Sequence, residues 1–197
     1  VGYKQDVVRA LIPDSMDGVD ISFAVQAEQL GTGHAFLCAA DALADYSGPV
    51  LVASGDMPMI QPASLNRLVS LHKEAGHEAT ELSAHMDHHT GYGRLVRNAA
   101  GELDSIIEEK DATDEIRKIQ EVNTGTYLFN SPGVFDVLRQ VGSSNAQNEY
   151  YLPDVVALYR KQGQSVGSMM LDDASEAQGV NSPEDLKILE ERLGVSK

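Results

Sequence analysis

The chain has 197 residues, 42% of them hydrophobic, a length that suits one α/β domain and an apolar content that excludes a disordered chain. Thirty acidic residues against 15 basic ones give a net charge of −15; that field repels nucleic-acid backbones and membrane surfaces, yet admits a small anionic ligand wherever amides, a lysine or a metal ion reverse it locally. A single cysteine excludes an intramolecular disulfide and fits a reducing compartment. No apolar run approaches the roughly 20 residues of a membrane helix.

The chain opens on Val1 with no signal-peptide pattern behind it, as an excerpt or a processed product would. Val19–Val25 reads as a strand. The loop Gln26-Ala-Glu-Gln-Leu-Gly-Thr-Gly-His-Ala35 leads from it into a helix over Gly33–Tyr46. Gly31 and Gly33 permit close backbone approach to a ligand, the Gln26 amide matches the donor–acceptor edge of a pyrimidine, and the Thr32 hydroxyl and nearby amides could complete that reading. The same residues also suit a plain capped helix start.

Pro49–Ala53 is a short apolar run of the kind buried on both faces of a parallel sheet. Ser54-Gly-Asp-Met-Pro58 follows it directly. Ligands gather beyond the carboxyl ends of such strands, and Asp56 there either holds a divalent cation or caps a turn before Pro58. A helix is expected over Pro62–Ala75, with proline at its start and Gly76 as its stop. Strands follow at Thr80–Ala84, Gly93–Arg97, Leu103–Glu108 and Val122–Phe129.

Between them lie further candidates. Thr90-Gly-Tyr-Gly-Arg94 is room for a sugar or a simple hairpin turn. Glu108 ends one strand and Asn123 begins the next, and both can bond sugar hydroxyls or an acetamido group. Glu109–Glu115 reads as a solvated surface, with Lys110 available to a phosphate. His85, His88 and His89 cluster beside Asp87 without regular ligand spacing, and Cys38 reads as buried filler. Helices are expected over Val134–Val141 and Tyr150–Gln162, with Glu149 and Tyr150 as pocket walls or core. A last strand covers Val166–Leu171 and a last helix Pro183–Leu193, capped by Ser182. Asn181 just before it is a turn residue or a neutral metal ligand. The alternation at both ends, with extra strands in the middle, predicts a single α/β domain with a mostly parallel, mixed sheet.

In order, Gln26–Ala35, Gly55-Asp56, Thr90–Arg94, Glu108–Glu115, Asn123-Thr-Gly125, Glu149-Tyr-Tyr151 and Gly179-Val-Asn181 resemble one family. It is the uridylyltransferase domain of the bacterial bifunctional N-acetylglucosamine-1-phosphate uridylyltransferase/glucosamine-1-phosphate acetyltransferase. The resemblance runs from about Val25 to Asn181 and implies a Rossmann-like nucleotide-diphospho-sugar transferase fold in a cytoplasmic enzyme of cell-wall precursor synthesis. It implies formation of UDP-N-acetylglucosamine and pyrophosphate from UTP and N-acetylglucosamine 1-phosphate. It further implies that Gln26, Gly31 and Thr32 read uracil and that Asp56 and Asn181 hold Mg2+. Gly93, Glu108 and Asn123 would contact the acetylated sugar, with Glu149 and Tyr150 beside them.

No Gly-rich loop of the family's L-A-A-G-x-G-T-R-M type is present, and no hexapeptide repeats follow. The chain is therefore expected to span a partial nucleotidyltransferase domain over 1–197, lacking the first strands and the phosphate loop and inactive alone. A trimer is expected only where the family's C-terminal β-helix is attached. Ser54 stands where the family has tyrosine, and Met59 where it has leucine. Two other readings stay open: a non-catalytic sugar-nucleotide-binding fragment, and a nucleotidyltransferase for another sugar 1-phosphate.

Overall fold

The computed structural model describes residues 1–180 and 182–194, the side chains of Arg192 and Leu193 excepted; Asn181 lies outside the described residues. In chain order the elements are α1 (Gln5–Leu11), β1 (Ser15–Met16), β2 (Val19–Asp20), α2 (Thr32–Leu37), β3 (Gly48–Val52), α3 (Pro62–Ala75), β4 (Ala79–His85), β5 (Arg94–Arg97), β6 (Leu103–Ile107), α4 (Asp114–Arg117), β7 (Glu121–Ser131), α5 (Gly133–Leu138), α6 (Asp154–Lys161), β8 (Val166–Met170) and α7 (Pro183–Leu193).

β7 organises the sheet. Its 11 residues pair with β4 on one side, and with β5 and then β3 on the other. β8 pairs with β4 in parallel and β6 closes the far edge against β5. β3, β4, β5 and β8 thus share one direction, while β6 and β7 oppose it. The sheet is mixed, as expected, but β7 sits between like-directed strands, so every main-sheet pairing except β4–β8 is antiparallel.

Two apolar layers sandwich the sheet. On one face Tyr127, Phe129 and Leu95 pack with Val134, Val155 and Val156 of α5 and α6 and with Phe36 of α2. On the other, Leu82, Val122 and Leu128 meet Leu68 of α3 and Met169. Strand alternation sends neighbouring residues to opposite layers, and this is what makes β4 buried along almost its whole length.

The strongest local signals define their elements to the residue. Pro62 opens α3 and Gly76, at φ 63°, closes it. α7 begins with a Ser182–Asp185 capping box and ends at Gly194, φ 67°.

Four expectations change. Val19–Val25 forms only the two-residue β2, paired with β1; Ala24 and Gln26 instead bond the first residue, with the Val1 ammonium donating to Ala24 O at 2.7 Å and the Gln26 N–H to Val1 O at 2.8 Å. The helix from Gly33 ends at Leu37 and tightens into i+3 turns, which keep Leu37, Ala40 and Leu43 on one side against the core. β3 is an antiparallel strand paired only with β7, its Leu51 exposed, rather than a strand buried on both faces. α6 starts at Asp154, because residues 150–152 are held by the loop before α2. The short helices α1 and α4 carry no buried residue, so no apolar stripe announced them.

Candidate active site

A cleft opens where β3 stops. Along one edge of β7, β3 covers Tyr127 to Ser131 and β5 reaches Val122, which leaves residues 123–126 without a strand on that side. The gap is a cavity of about 950 Å³, the size of a small-molecule site. Thr32, Asp56, Gly93, Glu108 and Asn123 line it, five residues from five separate places in the chain. Gln26, Gly31, Glu149 and Tyr150 are not among its lining residues.

Gly93 draws one corner of the cleft together. Its carbonyl accepts the Asn123 N–H at 2.9 Å. A Cβ placed on Gly93 would lie 3.3 Å from Glu108 Oε1 and 3.5 Å from Asn123 Cβ, so glycine keeps this corner open. Asn123 Oδ1 accepts from the Gly125 N–H at 2.9 Å and from the Tyr127 hydroxyl at 2.8 Å. With that oxygen doubly engaged, the Asn123 amino group is left for the cleft.

The turn before β5 is anchored from beneath. Arg94 is 1% exposed; it donates to Glu109 Oε2 at 2.6 Å and to the Tyr92 carbonyl. Glu109 also accepts the Gly91 N–H at 3.3 Å and pairs with Arg117 at 3.4 Å. Burial pushes the Glu109 carboxyl up, but Arg94, the Gly91 amide and Arg117 outweigh it and hold it below the ordinary range. The expected solvated surface at Glu109 is in fact a structural tie next to Glu108.

Glu108 itself is held above the ordinary carboxylate range, first by burial and then by the Asp154 and Asp111 carboxylates. Burial and Asp111 likewise raise Asp154 from 3.8 to about 6. Between about pH 4 and pH 6 the unfolded chain has released this proton and the folded chain has kept it. Stability therefore falls as pH rises through that window and levels off above it. Asp154→Asn is expected to stabilise the protein at pH 7 by on the order of 1 kcal/mol, discounted for solvent access, and to leave it unchanged at pH 3.5. Urea melts of both proteins at the two pH values check this.

On the opposite wall, the loop before α2 is clamped to residues 149–152. The Tyr150 N–H donates to Leu30 O and the Gly33 N–H to Tyr150 O, both at 2.8 Å, while the Leu152 N–H reaches Thr32 Oγ1 at 3.1 Å. Gly31 adopts φ 107°, ψ 176°, and a Cβ there would sit 2.7 Å from Tyr150 O. Glu149 and Tyr150 thus support this loop from behind. The Gln26 amino group donates to Gly31 O at 3.0 Å and meets His34 Nδ1 at 3.1 Å, leaving Oε1 as the group the side chain can offer a ligand.

Asp56 is exposed at the β3 end of the cleft. Its carbonyl accepts the Val180 N–H at 2.8 Å, which seats the segment leading to Asn181 against it. Among the described residues no group of three or more His, Cys, Asp and Glu is placed to hold a metal, and no helix is long and apolar enough to cross a membrane. Ser54 touches the bulge: its Oγ is 2.6 Å from where a Cβ on Gly125, φ 73°, would stand. Tyr127 and Arg94 were missed as site-shaping residues, because a buried strand tyrosine and a strand arginine carry no sequence signal for it. Gly125 inside a strand pattern was the available mark of a bulge.

A model of the nucleotidyl transferase family matches residues 2–176. The chain is 44% identical over 181 residues to the bifunctional protein GlmU of Streptococcus suis (strain 98HAH33), covering 92% of this chain and 38% of that protein. Against the bifunctional protein GlmU of Syntrophotalea carbinolica it is 45% identical, with 92% and 38% covered. Against that of Oceanobacillus iheyensis it is 43% identical over 197 residues, with 98% and 42% covered. The chain spans about two fifths of the length of these relatives. Among solved structures, a UDP-glucose pyrophosphorylase complexed with UDP-glucose superposes with a TM-score of 0.63 at 15% identity, over 87% of this chain and 66% of that one; that likeness is one of fold.

Proposed function

The chain belongs to the nucleotidyl transferase family, and from that premise we propose that it is a uridylyltransferase domain forming UDP-N-acetylglucosamine and pyrophosphate from UTP and N-acetylglucosamine 1-phosphate. The observation that carries the reading is the convergence of Gly93, Glu108 and Asn123, and with them Thr32 and Asp56, on one cleft. The first group suits a sugar bearing an amide, since a carboxylate and a carboxamide amino group face an open glycine corner. The second suits a nucleotide and its phosphates.

In the reaction, a phosphate oxygen of the sugar 1-phosphate attacks the α-phosphorus of UTP, and the bond from that phosphorus to the departing pyrophosphate breaks. No covalent enzyme intermediate is required. The contribution of the chain is to hold the two anions in line and exclude water. Gln26 Oε1, the Gly31 loop and Thr32 would receive uracil. Glu108 and the Asn123 amino group would fix the sugar. Asp56 offers one exposed carboxylate; with phosphate oxygens and, as the resemblance implies, Asn181, such a donor set would fit magnesium. Bound there, magnesium would neutralise the phosphates and orient the leaving group.

Titration calorimetry with UDP-N-acetylglucosamine and magnesium tests the reading. Binding should be measurable and stronger than for UDP-glucose; absence of binding, or equal affinity for the two, overturns the assignment of the sugar side. Asp56→Asn should remove the magnesium dependence of that affinity, a loss of roughly tenfold or more. Its melting temperature should stay within about 2 °C of the parent's, because the Asp56 side chain is exposed. An equal loss of stability would make Asp56 structural.

A further inference from the structure

The register of β4 against β7 jumps between Leu82, which faces Thr126, and Ser83, which faces Asn123. Thr124 and Gly125 are therefore extra residues in β7, and a bulge of this kind releases backbone groups that must find other partners. The Gly125 N–H goes to Asn123 Oδ1 at 2.9 Å and the Thr126 N–H to Thr124 Oγ1 at 3.3 Å. The Thr124 hydroxyl donates to Leu82 O at 2.6 Å. These bonds stay within the bulge and the backbone beside it.

The Thr124 N–H is different. It donates to Oε1 of Glu81 at 3.3 Å, a side chain in the middle of β4 that is 0% exposed. Glu81 lies directly across from Tyr127, whose hydroxyl holds Asn123 from the other side at 2.8 Å. The other carboxyl oxygen of Glu81 is buried with no partner. The cation that acts on it, Arg97, is engaged by Glu121 at 2.8 and 2.5 Å. Burial holds the Glu81 carboxyl well above the ordinary range, against the Thr124 hydrogen bond that favours its charge. A carboxyl in such a place satisfies one buried amide at the cost of one orphaned oxygen.

We propose that Glu81 is a positioning residue for the sugar side of the cleft: by accepting the Thr124 amide it fixes the β7 bulge and so the presentation of Asn123. The proposal rests on the reading of the cleft as a site for an N-acetylhexosamine nucleotide. Glu81→Leu removes the orphaned oxygen but leaves the buried Thr124 N–H without its acceptor, whereas Glu81→Gln keeps a carbonyl acceptor at nearly the same place.

The test measures four quantities on the full chain and both variants: melting temperature, affinity for UDP-N-acetylglucosamine, affinity for UTP, and hydrogen exchange at the Thr124 and Gly125 amides. Glu81→Leu is expected to melt within about 5 °C of the parent, the unpartnered Thr124 N–H lowering it and the removal of the orphaned oxygen offsetting part of that loss. It should bind UDP-N-acetylglucosamine roughly tenfold more weakly, bind UTP within about twofold of the parent, and exchange both amides at least about tenfold faster. Glu81→Gln should restore sugar-nucleotide affinity to within about twofold. Unchanged sugar-nucleotide affinity in Glu81→Leu, or equal loss for both ligands, overturns the proposal. If Glu81→Leu does not fold, Glu81→Gln and exchange in the parent decide: an unprotected Thr124 amide overturns it. If the parent takes no UDP-N-acetylglucosamine, the functional reading falls separately, and the exchange arm still shows whether Glu81 holds the bulge.

Discussion

Gly31→Ala is expected to lower stability by about 3 kcal/mol and to abolish nucleotide-side binding. Gly31 occupies φ 107°, ψ 176°, a region of backbone space open essentially to glycine alone. A methyl group there meets the Tyr150 carbonyl at 2.7 Å, Tyr150 N at 2.9 Å and Glu149 Cβ at 2.9 Å. Two of the three are backbone atoms, and both are tied down: Tyr150 N bonds Leu30 O and Tyr150 O bonds Gly33 N. The collision therefore cannot be relieved by turning a side chain. Either the clamp opens or the loop before α2 moves, and each carries Thr32 with it. Urea denaturation followed by tyrosine emission suits this protein, which has seven tyrosines and no tryptophan. A loss under about 1 kcal/mol would show that the 30–33 segment is looser than its hydrogen bonds imply.

The second large effect is at the ion pair under the Thr90–Arg94 turn. Glu109→Ala is expected to lower stability by about 3 kcal/mol, because it leaves a guanidinium that is 1% exposed facing only a carbonyl. Arg94→Met should cost less, since it removes the buried charge along with its partner's attraction and keeps the aliphatic packing. The double variant should then be more stable than Glu109→Ala alone. A double-mutant cycle by urea denaturation reads the coupling directly. Additive losses would show that Arg94 does not depend on Glu109. Because Glu108 precedes Glu109 in the chain, the same substitution should also weaken UDP-N-acetylglucosamine binding, while leaving the clamp at Gly31 untouched.

Where the sequence carried a stereochemical signal, it carried the element. Pro62 with Gly76, and Ser182-Pro183 with Gly194, bracket α3 and α7 because proline, cap and left-handed glycine act locally. β3 shows the limit. An apolar pentapeptide reports that something covers it, and its composition is the same whether the neighbour is parallel or antiparallel, on one edge or two. The segment Ile21–Val25 has strand-like composition but lies along the first residue, a partner that no periodicity names. The site was legible in its loops, since glycines beside polar residues mark close approach at Gly31 and Gly93. It was not legible at Glu81 and Arg94, charged side chains on strands with no local mark of burial. Their burial depends on which strands lie beside them, and β7 settles that from 40 residues further along for Glu81.

The clamp between the loop before α2 and residues 149–152 joins positions 120 apart, Leu152 to Thr32. During synthesis the Gly31 loop leaves the ribosome long before the backbone it leans on. At the usual 5–20 residues per second the interval is roughly 6–24 s. β7 emerges only near the end of that interval, and until Leu152 follows it the loop before α2 has no other half. Closure of the cleft is thus a late acquisition in the life of each molecule, reached only once Leu152 has emerged.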